Sequence, residues 1–270
     1  MPYVKLNGAT MWYEESGAGS ETLVFGHGLA FTGSMFEAQV AELRARYRCI
    51  TFDLRGHGKS ELTETGYDMD TLAGDASALI EHLECGPCHF VGWSVSGFTG
   101  LRNAARKPHL FRSLTLIGSA SIRGSDTSFL FKLVPFLARA LGMGFICGEL
   151  MKLMFSAGFL TDPGRAVERA RWRDGVLAAH ALGVSRTAWG VVRQKSIDAE
   201  LRDIRVPVLM IRGEVDAIIH PAFARSTIDA IAGGQWRVIP KTGHACHLEA
   251  PQVVNAALTT FFERVGEGPR

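Results

Sequence analysis

The chain has almost no surplus of charge. Lys and Arg number 29 against 27 Asp and Glu, a net +2 over 270 residues. That balance gives no electrostatic footprint for nucleic acid or an anionic membrane surface, and neither partner is expected. Cysteine is sparse and odd in number, five in all. A disulfide framework is not expected, and reduced thiols in a cytoplasm are the reading that fits. No basic stretch followed by an apolar run precedes Tyr3, so no signal peptide is expected. The most apolar later stretch, Phe145 to Leu160, is interrupted by Glu149 and Lys152 and is not read as a membrane span. Internal repeats and low-complexity tracts are missing. So is a phosphate-binding glycine loop, because Gly26 to Gly28 lacks the spacing and the lysine. Cys85-Gly86-Pro87-Cys88 has redox-motif spacing but lies before a strand rather than at a helix start after one. No second pair or histidine cluster completes a zinc site. No cofactor and no metal are expected.

What the chain does have is apolar material, 47% of its residues, enough for a sizeable core. It also has a regular alternation of element types. Residues 3–15 read as a hairpin around Asn7-Gly8. Strands are expected at 21–26, 48–53, 113–117 and one ending in His89-Phe90-Val91, with helices at 34–46, 69–83 and 98–107 between them. The alternation resumes with strand 206–212, helix 222–231, strand 235–239 and helix 251–265. Such alternation implies a mostly parallel β-sheet flanked by helices. Between about 122 and 200 no convincing strand is found. We read 1–121 and 201–270 as an α/β core and 122–200 as an inserted helical cap.

The stretch that organises the chemistry is Gly92-Trp93-Ser94-Val95-Ser96-Gly97. A short apolar strand runs straight into a helix, with small residues two positions either side of Ser94. That is the pattern of a nucleophile elbow, whose serine sits on a tight turn with its hydroxyl exposed. The usual motif has glycine on both sides, and Ser96 departs from it. If Ser96 were the nucleophile, the bulky Phe98 would flank it, so Ser94 is the candidate. A serine hydroxyl needs a base, and the base needs a third group to fix its tautomer. Two later strand ends supply candidates, Asp216 after strand 206–212 and His244 after strand 235–239. Glu214 and Asp126 compete as the acid and His247 as the base.

Together with Phe25-Gly26-His27-Gly28, Asp53 to Ser60, Gly213 to Asp216 and Gly243 to Pro251, these motifs make the chain resemble the α/β-hydrolase fold superfamily over nearly its whole length. Its capped members include esterases, enol-lactonases, carbon–carbon hydrolases and cofactor-free haloperoxidases. The resemblance implies Ser94 as nucleophile, His244 as base, Asp216 as its orienting acid, and the backbone N–H groups of Val95 and Leu29 as the oxyanion hole. It implies a serine hydrolase acting on a small-molecule ester or lactone through an acyl-enzyme. Carbon–carbon hydrolysis, perhydrolysis and a non-catalytic ligand receptor are the alternatives. His27 and His57 are expected to shape loops, and His247 to pack before the last helix. Trp93, Phe136 and Met154 are expected to line an apolar substrate pocket, and Arg165, Arg169, Arg171 and Arg173 to form a solvated face. A monomer or homodimer is expected.

Overall fold

The computed structural model describes residues 2–122, 124 and 129–267; Asp126, one of the competing acids, lies outside them. The chain opens with the hairpin β1 (Tyr3–Leu6) and β2 (Ala9–Ser16). Its turn places Asn7 and Gly8 at φ 46° and 75°, the left-handed conformation that an Asn-Gly pair tolerates. There follow β3 (Thr22–Gly26), α1 (Glu37–Leu43), β4 (Arg48–Phe52), α2 (Met69–His82), β5 (Cys88–Trp93), α3 (Val95–Arg106) and β6 (Phe111–Ile117). The sheet has eight strands in the order β1-β2-β4-β3-β5-β6-β7-β8. Only the β1–β2 and β2–β4 pairs are antiparallel; the remaining neighbours run parallel. β3, β5 and β7 are buried along their whole length, as strands covered on both faces by helices must be. This is the α/β-hydrolase fold.

Between β6 and β7 the described elements are all helical. They are α4 (Phe129–Met154), α5 (Ala157–Thr161), α6 (Ala166–Ala178) and α7 (Ala181–Arg193). α4 carries Pro135 and breaks at Gly142, whose φ of 78° and ψ of 176° belong to no helix. By length and composition, residues 131–154 would suffice to cross a membrane, a stretch not anticipated from the sequence; 39% of its most apolar window is buried. The break matters here. At 1.5 Å per residue the two rods run only about 20 Å each, short of the roughly 30 Å of bilayer hydrocarbon. α7 lies close against the core through two glycines one heptad apart. A Cβ on Gly183 would stand 1.8 Å from the carbonyl oxygen of Gly56, and one on Gly190 1.9 Å from that of Tyr67.

The chain then returns to β7 (Val208–Gly213), α8 (Pro221–Asp229), β8 (Gln235–Ile239), the one-turn α9 (Cys246–Glu249) and α10 (Pro251–Gly266). Cys85 and Cys88 are free and buried. Burial pushes the Cys85 thiol up to about 11, and burial with Cys85 alongside raises Cys88 further, so neither is a reactive thiolate.

Candidate active site

The turn between β5 and α3 sets the site. Ser94 has φ 51° and ψ −109°, a conformation that costs a non-glycine residue about 1–3 kcal/mol. Its neighbours hold it there. The Ser94 N–H donates to Ile117 O at 2.9 Å, and Ser119 Oγ donates to Ser94 O at 3.1 Å. A Cβ on Gly92 would meet the carbonyl oxygen of Ser96 at 2.5 Å, so that position admits only glycine. Ser96, the departure from the usual motif, is accommodated by Gly26 on β3, where a Cβ would lie 2.6 Å from the Ser96 side chain. Ser96 Oγ donates to His27 O at 2.6 Å and is fully buried. It therefore braces the elbow from within.

Asp216 and His244 follow β7 and β8, parallel neighbours whose C-terminal ends lie on the same edge of the sheet as that of β5. The structure brings them together: His244 Nδ1 lies 3.0 and 3.1 Å from the two Asp216 oxygens. Ile218 and Ile219 N–H donate to Asp216 Oδ1 at 2.8 and 3.0 Å. Burial alone would raise the Asp216 pKa. The His244 charge and the hydrogen bonds from His244, Ile219 and Ile218 outweigh it and hold the carboxyl below its ordinary value. An ionised Asp216 fixes the proton on Nδ1 and leaves Nε2 as the basic nitrogen. His244 Nε2 is buried and has no hydrogen-bond partner among the described residues. Trp93 Nε1 donates to His244 O at 3.0 Å, and its ring packs 5.2 Å from the imidazole.

The other candidates are spent elsewhere. Glu214 accepts from Lys241 N–H at 2.8 Å. His247 is fully buried, stacked on Phe36, and burial drives it down to about 3. His27 bridges two loops: Nδ1 donates to Gly28 O at 2.7 Å and Nε2 accepts from Leu54 N–H at 2.9 Å. Burial lowers its pKa to about 4. His57 is likewise pushed down to about 3, by burial and by His27 beside it. Val95 heads α3, where no preceding turn supplies an acceptor for its N–H. The Leu29 N–H, in the loop after β3, donates to no atom of the described residues.

A small pocket of about 20 Å³ opens beside Ser94 and Val95. Phe98 of α3, Ile122, Phe131 of α4 and Val191 of α7 form its walls, and Ile218 and Ile219 close it beyond Asp216. Among the described residues Ser94 is the only polar one in that lining. The expected pocket residues are elsewhere. Trp93 is fully buried behind the triad histidine. Met154 is buried at the end of α4, where its carbonyl accepts from Ala245 N–H at 2.8 Å. Phe136 is 56% exposed and leans edge-on against Trp189. Helical spacing shows that a stripe is apolar, but not which neighbour it meets. Ile218 and Ile219 were findable, since they lie two and three residues after Asp216; Val191 carries no comparable sequence signal.

The arginine stretch also departs from a plain solvated face. Arg165 donates to the carbonyls of Glu249 and Leu248 at 2.5 and 3.1 Å and pairs with Glu168. Arg169 donates to the Phe159 and Asp162 carbonyls, and Arg171 pairs with Glu37 of α1. Glu249, unmarked in the sequence, accepts from Ser156 Oγ at 2.5 Å, Ser156 N–H at 2.9 Å and Gly243 N–H at 2.8 Å. The loop carrying His244 is thus fastened to the helical excursion. Among the described residues no group of three or more His, Cys, Asp or Glu is placed to hold a metal.

The model of the alpha/beta hydrolase family matches residues 23–257. The 3-oxoadipate enol-lactonase 2 of Acinetobacter baylyi is 27% identical, over 97% of this chain and 94% of its own. Among solved structures, an enol-lactonase from Burkholderia xenovorans superposes with a TM-score of 0.90 at 26% identity, covering 97% of this chain and all of that one. A thermophilic esterase from Thermogutta terrifontis superposes with a TM-score of 0.88 at 25% identity, covering 97% and 98%. The elbow, the acid–histidine pair and the sheet that aligns them agree with these matches: the chain belongs to the alpha/beta hydrolase family and is an enzyme, a hydrolase.

Proposed function

We propose that the protein hydrolyses carboxylic esters with a small, uncharged acyl group, by way of an acyl-enzyme on Ser94. The observation that carries this reading is the apolar lining that the described residues form around Ser94, set beside the His244–Asp216 pair. His244 Nε2 takes the proton from Ser94 Oγ as the hydroxyl attacks the ester carbonyl. The negative charge that forms on the carbonyl oxygen is received by the Val95 and Leu29 N–H groups. His244 returns its proton to the departing alkoxide, and the alcohol leaves. A water then enters and gives a proton to His244 as its oxygen attacks the acyl carbonyl; His244 returns that proton to Ser94 Oγ as the bond to Ser94 breaks and the acid leaves. Asp216, ionised throughout, holds the Nδ1 proton and stabilises the imidazolium at each step. Residues 122–200 act as a cap: α4 and α7 supply Phe131 and Val191 to the acyl wall.

Lactone hydrolysis is the second reading, favoured by the similarity to two enol-lactonases. An anionic lactone would need a cation near its carboxylate, and among the described residues no Lys or Arg lines the Ser94 pocket. The test is kcat/KM for p-nitrophenyl acetate, butyrate and octanoate beside a carboxylate-bearing lactone. The ester reading requires turnover of the short neutral esters, lost in Ser94→Ala. A clear advantage for the anionic lactone would replace it with the second reading.

A further inference from the structure

A larger cavity, about 660 Å³, lies on the opposite face of α7 from the Ser94 pocket. Val191 faces the acyl wall, while Arg186, Trp189, Gly190 and Arg193 of the same helix face this second space. Its size suits a small metabolite, and its charge is unbalanced. Five cations line it, against three carboxylates.

All three carboxylates are already engaged. Asp68 caps α2 through Thr71 N–H and Oγ1 at 2.9 and 2.7 Å. Asp70 sits between Arg102 and Arg106 at 3.0 and 2.7 Å. Glu200 takes two hydrogen bonds from Arg106, at 2.6 and 2.8 Å. The other three cations, Arg186, Arg193 and Lys195, have no carboxylate within 4.0 Å among the described residues. Two of them are nonetheless held in position. Arg186 donates to Thr63 O at 2.5 Å, and the Arg193 guanidinium lies 4.4 Å from the Trp189 ring centroid. Oriented guanidinium groups without a counter-charge, on the wall of a concave site, form a receptor for oxyanions. Gln194, whose amide nitrogen is buried with no acceptor, belongs to the same wall.

We propose that this cavity is a second binding site, separate from Ser94, for a small organic anion bearing at least two negative charges as phosphate or carboxylate groups. It stands apart from the ester reading, because none of its residues takes part in the chemistry at Ser94.

The test is calorimetric titration of the whole protein with tripolyphosphate and with succinate at fixed ionic strength, using sodium chloride as the control. Saturable 1:1 binding of either is expected. A response to tripolyphosphate alone assigns phosphate groups, one to succinate alone assigns carboxylates, and a response to both assigns the shared charge. Lys195→Gln removes an exposed amine with no carboxylate partner among the described residues and should keep the fold; it should weaken binding about fivefold. Arg193→Gln with Lys195→Gln should weaken it tenfold or more, with p-nitrophenyl ester turnover unchanged. Heats no larger than those of sodium chloride up to about 10 mM, or equal affinity in the double variant, would overturn the proposal.

Discussion

Glu249 and Ser156 meet across two regions of the chain: the carboxylate that follows the histidine loop accepts both the hydroxyl and the N–H that cap α5. The same carboxylate accepts Gly243 N–H, one residue before His244. Arg165 adds a second fastening through the Glu249 and Leu248 carbonyls. The position of His244 is thereby tied to the seating of the helical segment above it.

Glu249→Ala strands the Gly243 and Ser156 donors in a buried site, at a cost of about 1–3 kcal/mol. A lower urea midpoint is expected, with kcat reduced more than KM is raised, because the loss falls on the base rather than on the acyl wall. Urea denaturation and steady-state kinetics on one preparation measure both. Wild-type stability in this variant would mean that the clamp carries no load.

Stability should fall on mild acidification. His27, His57 and His247 have folded-state pKa values of about 4, 3 and 3, depressed by burial below the ordinary 6.5. The unfolded chain therefore binds protons that the folded chain refuses as pH drops below 6.5. Their contribution is complete above that value and is lost progressively toward pH 4, by up to about 1.4 kcal/mol per pH unit for each histidine. Asp216, with its pKa lowered, adds a further loss only below about 3.8. Replacing His247 with Phe should flatten the slope of unfolding free energy between pH 6 and 4.5 by about one proton. An unchanged slope would show that His247 is not held neutral.

The acyl wall should be tunable from the cap. Phe131→Ala opens the pocket beside Ser94. The ratio of kcat/KM for octanoate over acetate esters should rise about tenfold or more, within the roughly 1–3 kcal/mol that a methylene is worth in an apolar site. Phe136→Ala, at an exposed position against Trp189, should leave that ratio within about twofold. If Phe136 moved the ratio and Phe131 did not, the pocket would be wrongly placed.

The tight turn at Ser94 and the pairing of Asp216 with His244 were legible in the sequence, for local reasons. Gly92 must be glycine because the turn at Ser94 brings the backbone of Ser96 against it, and such a constraint leaves a mark in the primary structure. Asp216 and His244 follow strands, and parallel strands present their C-terminal ends together. The pocket was not legible, because it depends on how α4 and α7 seat over the sheet. Phe131 and Phe136 are two phenylalanines of one apolar helix, yet one faces Ser94 and the other faces solvent. Glu249 was missed for the same reason. A carboxylate before Pro251 reads as a helix-start acid until Ser156 is brought to it from far along the chain.

The central claim is that Ser94 becomes covalently acylated with His244 as its base, and active-site labelling tests it most directly. Intact-mass analysis after treatment with a fluorophosphonate, followed by peptide mapping, should find one adduct, on Ser94. The adduct should persist in Ser96→Ala, vanish in Ser94→Ala, and form at least about a thousandfold more slowly in His244→Ala. An adduct that maps to Ser96, or one that forms at the wild-type rate without His244, would contradict the account.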